Sequence, residues 1–117
     1  MSIRSVAVVC ALLAASAHAV TADERSDARA QVEFGIEVVR NGLWKEAIYR
    51  WERAVEIDDS YAAAWNNLGI AYEHEGMFDK AREAYERALD LDPGNLMIQQ
   101  NYDLFREIND RINELDP

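Results

Sequence analysis

The chain has 117 residues, half of them hydrophobic, which is enough for one domain with a buried core and no more. Its formal net charge is -10, with 22 acidic against 12 basic residues, so it lacks the basic excess that a phosphate backbone or an anionic membrane surface demands. The charge favours a partner whose contact face is basic or neutral.

Residues 1–19 read as a cleavable signal peptide. Arg4 gives the positive start, Val6 to Ala15 is an uncharged apolar run, and Ala17-His18-Ala19 places small residues where a signal peptidase reads them. Cleavage is predicted between Ala19 and Val20. The run is far shorter than the ~20 residues that span a bilayer, which argues against a retained anchor. Cys10 sits inside the run behind Val9, a poor setting for lipidation. Removing residues 1–19 removes Cys10, the only cysteine, and leaves a chain without a thiol. That suits an oxidising compartment, and the expectation is a periplasmic or secreted protein. Residues 20–27, rich in charge, are expected to form a flexible N-terminus.

From residue 28 the sequence repeats itself. A shift of 34 residues brings Ala28 onto Ala62, Gly35-Ile36 onto Gly69-Ile70, Gly42 onto Gly76, Ala47 onto Ala81, and Glu52-Arg53-Ala54 onto Glu86-Arg87-Ala88. Such a period predicts two helix–turn–helix units, residues 28–61 and 62–95. Trp65, Leu68, Gly69 and Tyr72 recur on one helical face. Gly69, Ala81 and Ala88 allow close helix approach, and Tyr85 fills the space they leave. Trp44, Trp51, Phe78 and Tyr85, at matched places in the two units, are read as core. Asn41-Gly42 and Glu75-Gly76 are expected to stop the first helices, and Pro93 with Asn95 marks the end of the second unit. Residues 96–117 predict one amphipathic capping helix and tail, with Tyr102, Phe105, Ile108, Ile112 and Leu115 as the stripe that covers the open end.

The second unit closely resembles the tetratricopeptide repeat. Trp65, Leu68, Gly69, Tyr72, Ala81, Tyr85, Ala88 and Pro93 stand at that family's spacing. The first unit is weaker, with Gln31 in place of the first aromatic and Asp59 in place of the proline. The resemblance implies an all-α helix–turn–helix solenoid of five helices after signal-peptide removal. It also implies a concave groove lined by the first helix of each repeat. The groove positions are Val32, Glu33, Ile36 and Arg40, then Asn66, Asn67, Ile70 and His74, then Met97, Gln100, Asn101 and Leu104 on the capping helix. In peptide-binding relatives an Asn at the place of Asn67 bonds the ligand backbone, a task that suits an amide's donor and acceptor. The family's clamp for a C-terminal carboxylate is not matched, because Val32, Ile36, Met97 and Asn101 occupy four of its five positions.

Chemistry-bearing constellations are scarce. His74 stands alone beside a turn, with no nucleophile signature near it. Asp90, Asp92, Gly94 and Asn95 do not complete a calcium loop, since the glycine comes early and Asn101 stands where a closing glutamate belongs. The expectation is therefore a non-enzymatic module with no cofactor and no metal. Its partner is a protein or peptide, not nucleic acid, and the mature chain does not insert in a membrane. The alternative is a structural protein that self-assembles through the uncapped first repeat.

Overall fold

The computed structural model describes residues 18–115, which form five α-helices joined by short turns. They are α1 (Ala22–Arg40), α2 (Trp44–Ile57), α3 (Ala62–His74), α4 (Phe78–Leu91) and α5 (Leu96–Leu115). The fold is an all-α solenoid of paired helices. α1 pairs with α2, α3 with α4, and α5 closes the stack on α4 and α3. The predicted signal peptide lies, up to Ala17, outside the described residues. No described helix is long and apolar enough to cross a membrane.

The core is built from small residues on one helix meeting large ones on the next. Ala28, Ala47, Ala54, Ala64, Ala71, Ala81 and Ala88 are fully buried. Against them lie Trp51, Leu68, Tyr85 and Phe105. Close approach is tightest at the two helical glycines. A Cβ on Gly35 would stand 2.2 Å from Trp51 Nε1, and one on Gly69 would stand 2.7 Å from the Tyr85 ring. The Trp51 indole also donates to the Val32 carbonyl at 3.0 Å, so the ring is fixed in plane as well as packed.

Both repeats turn in the same way. Gly42 and Gly76 adopt φ of 76° and 73°, the left-handed region that a side chain disfavours. Leu43 N–H donates to the Val38 carbonyl and Met77 N–H to the Tyr72 carbonyl, which satisfies the carbonyls orphaned at each helix end. Asn95 caps α5 by accepting from the Met97 and Ile98 amides.

Three expectations are corrected. Residues 22–27 are helical, not a loose N-terminus. Thr21 Oγ1 accepts from the Glu24 amide while Glu24 accepts from the Thr21 amide, a capping box that starts α1 early. This bond with Thr21 also holds the Glu24 carboxyl below the usual carboxylate range. Phe78 is 40% exposed, whereas Trp44, its counterpart, is half-buried. His74 stacks on Trp44 at 4.0 Å and 14°, and the residue that would do the same for Phe78 is Ile108, which is itself left exposed. Finally, Ile108, Ile112 and Leu115 do not cover the open end. At 3.6 residues per turn, the face of α5 that seats on the body is Ile98, Phe105 and Asn109, with Tyr102 half-buried beside it. The first repeat is uncovered on its outer side as expected: Phe34 is 47% exposed where its counterpart Leu68 is 1% exposed. The Arg50 guanidinium lies 4.2 Å from the centre of the Phe34 ring.

Tyrosine hydroxyls pin neighbouring helices together. Tyr72 donates to Glu52, Tyr85 to Glu73 and Tyr102 to Glu86, at 2.8, 2.9 and 2.7 Å. Burial, then the hydrogen bond to each carboxylate, pushes all three phenols above their ordinary value of 10.0. The unfolded chain therefore releases these protons at a lower pH than the folded chain does. Stability should hold steady up to about pH 10 and fall above it, by about 1.4 kcal/mol per pH unit for a tyrosine as buried as Tyr85. Urea midpoints measured across this range check the expectation. Tyr85→Phe should flatten the alkaline decline, and an unchanged decline would show that the phenol does not contribute.

Candidate functional site

The repeat places residues 34 apart on the same face of successive first helices. Ile36 on α1, Ile70 on α3 and Leu104 on α5 form one such set. Ile36 is 39% and Leu104 57% exposed, and Ile70 is half-buried. Three aliphatic side chains thus make an apolar ladder across the first helices. One turn away on each helix stand Glu33, Asn67 and Asn101. Arg40, His74 and Ile108 form the next set along the groove edge.

Not all of the residues named from sequence belong to this surface. Val32 is 4% exposed and packs in the core against α2, with its carbonyl taken by the Trp51 indole. Asn66 is 3% exposed, and its side-chain oxygen accepts from Asn101 Nδ2 at 3.2 Å. These two are structural, since this register points between helices instead of into the groove. Asn101 is half-buried and ties α5 to α3. Glu33, Arg40, Met97 and Gln100 are exposed, and Arg40 Nη1 donates to Glu37 at 3.1 Å. His74 keeps its outer edge exposed while its face is covered by Trp44. Asn67 is half-buried, and no described side chain bonds its amide, which leaves a donor and an acceptor for a peptide group.

Ile108 joins the groove edge although its place in the apolar stripe of α5 predicts a covered residue. The 34-residue shift, which sets it at the position of His74, is the signal that identifies it. The ladder is apolar at its rungs and amide or carboxylate between them. Two shallow hollows, of about 410 and 400 Å³, open elsewhere, at the turn edge around Lys45 and Glu75. Both are open to solvent, and they share Lys45 and Glu75 in their lining. Among the described residues, no three His, Cys, Asp or Glu side chains converge as a metal site requires.

Comparison with known proteins agrees with the repeat and the fold. A family model described as "Tetratricopeptide repeat" matches residues 62–95, and one described as "TPR repeat" matches residues 38–76. The tetratricopeptide repeat domain-containing protein PYG7, chloroplastic, of Arabidopsis thaliana is 32% identical over 85 residues, covering 73% of this chain and 28% of that protein. The chain spans less than a third of the length of the curated relatives it matches. Among solved structures, MamA aligns with a TM-score of 0.67 at 30% identity, covering 73% of this chain and 50% of that one. The Arabidopsis OM64 TPR domain aligns with a TM-score of 0.70 over 78% of this chain and 75% of that one; its 19% identity speaks to the fold alone.

Proposed function

Because the chain belongs to the tetratricopeptide-repeat family, we propose that it is an exported, non-catalytic adaptor that holds a polypeptide segment of a partner on the ladder of its first helices. The fold is that of a protein–protein interaction module. The observation that carries the finer reading is the ladder itself: Ile36, Ile70 and Leu104 recur in phase at the repeat period, and Ile36 and Leu104 are exposed. Apolar side chains of the partner supply the affinity by burying against these rungs. Asn67 fixes the backbone of the segment, with Glu33 and Asn101 beside it. The N-terminal residues 1–19 direct the chain to the periplasm or outside the cell, and the scaffold works there without metal or cofactor.

The test is a capture experiment from extract of the native cells. The wild-type chain is compared with Ile36→Ser and Asn67→Ala, and the retained proteins are identified by mass spectrometry. Ile36 is partly exposed and Asn67 bears no described side-chain bond, so both variants should fold. Proteins held by the wild type should be depleted roughly tenfold by either variant, as expected for a contact worth about 1.4 kcal/mol. Proteins retained equally by all three would move the binding surface off the ladder.

A further inference from the structure

The two repeats stop their first helices with the same geometry and different chemistry. α3 ends on Glu75-Gly76 and α1 on Asn41-Gly42, the only asparagine in the sequence that is followed by glycine. Asn41 and Gly42 are both exposed. Such a pair carries its own reaction. The glycine amide nitrogen attacks the asparagine side-chain carbonyl and closes a five-membered imide, and glycine puts no side chain in the way.

We infer that Asn41 is the chain's deamidation site, primed by Gly42 and held back by the folded turn. The step balances with water alone. The Gly42 nitrogen gives up its proton to a base in solution and bonds to Asn41 Cγ. The Cγ–Nδ2 bond breaks, and that nitrogen leaves as ammonia. Water then opens the imide. Cleavage at the side-chain carbonyl leaves an aspartate with an ordinary main chain. Cleavage at the main-chain carbonyl leaves an isoaspartate, whose main chain runs through the side chain and is one carbon longer.

Three features of the turn oppose ring closure. The ψ of Asn41 is 10°, which sets the Gly42 nitrogen beside Asn41's own nitrogen and away from its Cβ. The attacking N–H is already given to the Val39 carbonyl at 2.8 Å. Asn41 Nδ2 donates to the Glu37 carbonyl at 3.3 Å, which holds the side chain back along α1. Closure therefore waits for the turn to open, and its rate follows the open fraction.

The two products differ in what they do to the fold. Glu75 stands at the end of α3 with φ -87° and ψ 5°, against -94° and 10° for Asn41. A carboxylate is thus already accommodated at this place in the second repeat, and the aspartate product costs little beyond its unfavourable position at a helix C-terminus. The isoaspartate product lengthens the chain inside the loop closed by two bonds, Gly42 N–H to Val39 and Leu43 N–H to Val38, at 2.8 and 3.1 Å. The longer loop cannot keep both, and carbonyls at the end of α1 lose their donors. Trp44, which stacks on His74, begins α2 just beyond. Isoaspartate therefore loosens the joint between α1 and α2, and aspartate leaves it closed.

The experiment incubates the full chain in mildly alkaline buffer, folded and in guanidinium chloride. Peptide mapping with electron-transfer fragmentation follows each asparagine and separates the two products. In denaturant the exchange of NH2 for OH should appear first at Asn41, and Gly42→Ala should slow it severalfold. In the folded chain it should run at least about tenfold slower, the factor that an opening cost of about 1.4 kcal/mol gives. Aged chains are then resolved by ion exchange. The aspartate form and Asn41→Asp should share a urea midpoint close to the wild type's, and the isoaspartate form should fall below both.

Conversion of another asparagine ahead of Asn41 in denaturant, or equal rates at Asn41 in the folded and denatured chains, would overturn the inference. An isoaspartate form with the wild-type midpoint would overturn its effect on the joint between α1 and α2.

Discussion

Gly35→Ala should destabilise the protein by about 3 kcal/mol, although the same change in most helices is favourable. An alanine inside a helix is ordinarily worth roughly 0.5–1 kcal/mol over glycine. Here the added methyl would stand 2.2 Å from Trp51 Nε1 and 2.7 Å from two more indole carbons. The indole cannot swing aside cheaply. It is 4% exposed, and its N–H is committed to the Val32 carbonyl. Moving it adds overpacking strain of about 1–3 kcal/mol and leaves a buried donor and acceptor unpaired for about 1–3 kcal/mol more. Urea denaturation reads the loss directly. Gly94→Ala is the control, since a Cβ there meets nothing within 4 Å and the midpoint should barely move. Gly35→Ala made in a Trp51→Leu background should cost much less than in the wild type, because the clash is then absent. A stabilised Gly35→Ala would mean that α1 and α2 do not approach as closely as the glycine implies.

Phe105→Ala should cost about 3–4 kcal/mol and should do so locally. Phe105 is 2% exposed and is the main anchor of α5, with ring centres 5.5 Å from Tyr85 and 6.5 Å from Tyr102. Arg82 lies over its ring at 5.5 Å. The other fixings of α5 are the buried Ile98 and Asn109, the Asn66–Asn101 and Tyr102–Glu86 bonds, and the Arg82–Asp110 ion pair. None of them replaces the lost ring. Amide hydrogen exchange should show α5 losing protection while α1 to α4 keep theirs. Any ligand held at Leu104 should be lost with it. Uniform loss of protection through all five helices would instead show that α5 and the repeats unfold as one unit.

The fold is legible in the sequence because its determinants are local and repeated. Gly42 and Gly76 mark the turns, and the small residues that meet Trp51 and Tyr85 mark the helix pairs. Both recur at one period, so each copy checks the other. The features that escape a sequence reading lie where the period has no second copy. The start of α1 depends on Thr21 and Glu24, which precede the first repeat and have no counterpart to compare. On α5 the stripe from Tyr102 to Leu115 spans more than one helical face, and only packing shows that Phe105 and Asn109 face inward while Ile108 and Ile112 do not. Among the groove residues, the repeat phase identifies Ile36, Ile70 and Leu104. It cannot separate Asn66 from Asn67, because adjacent amides differ only in whether the next helix closes over them.

The bond between Asn66 and Asn101 gives the solenoid two unequal joints. It latches α3 to α5. The pair that would latch α1 to α3 in the same way is Val32 and Asn67, and a valine side chain has nothing to offer an amide. The C-terminal joint thus has an amide bond between the first helices, whereas at the N-terminal one α3 is tied to α2, by the Tyr72–Glu52 bond and the stacking of His74 on Trp44. The spacing from Ile70 to Leu104 is therefore set directly between α3 and α5, and the spacing from Ile36 to Ile70 indirectly, through α2.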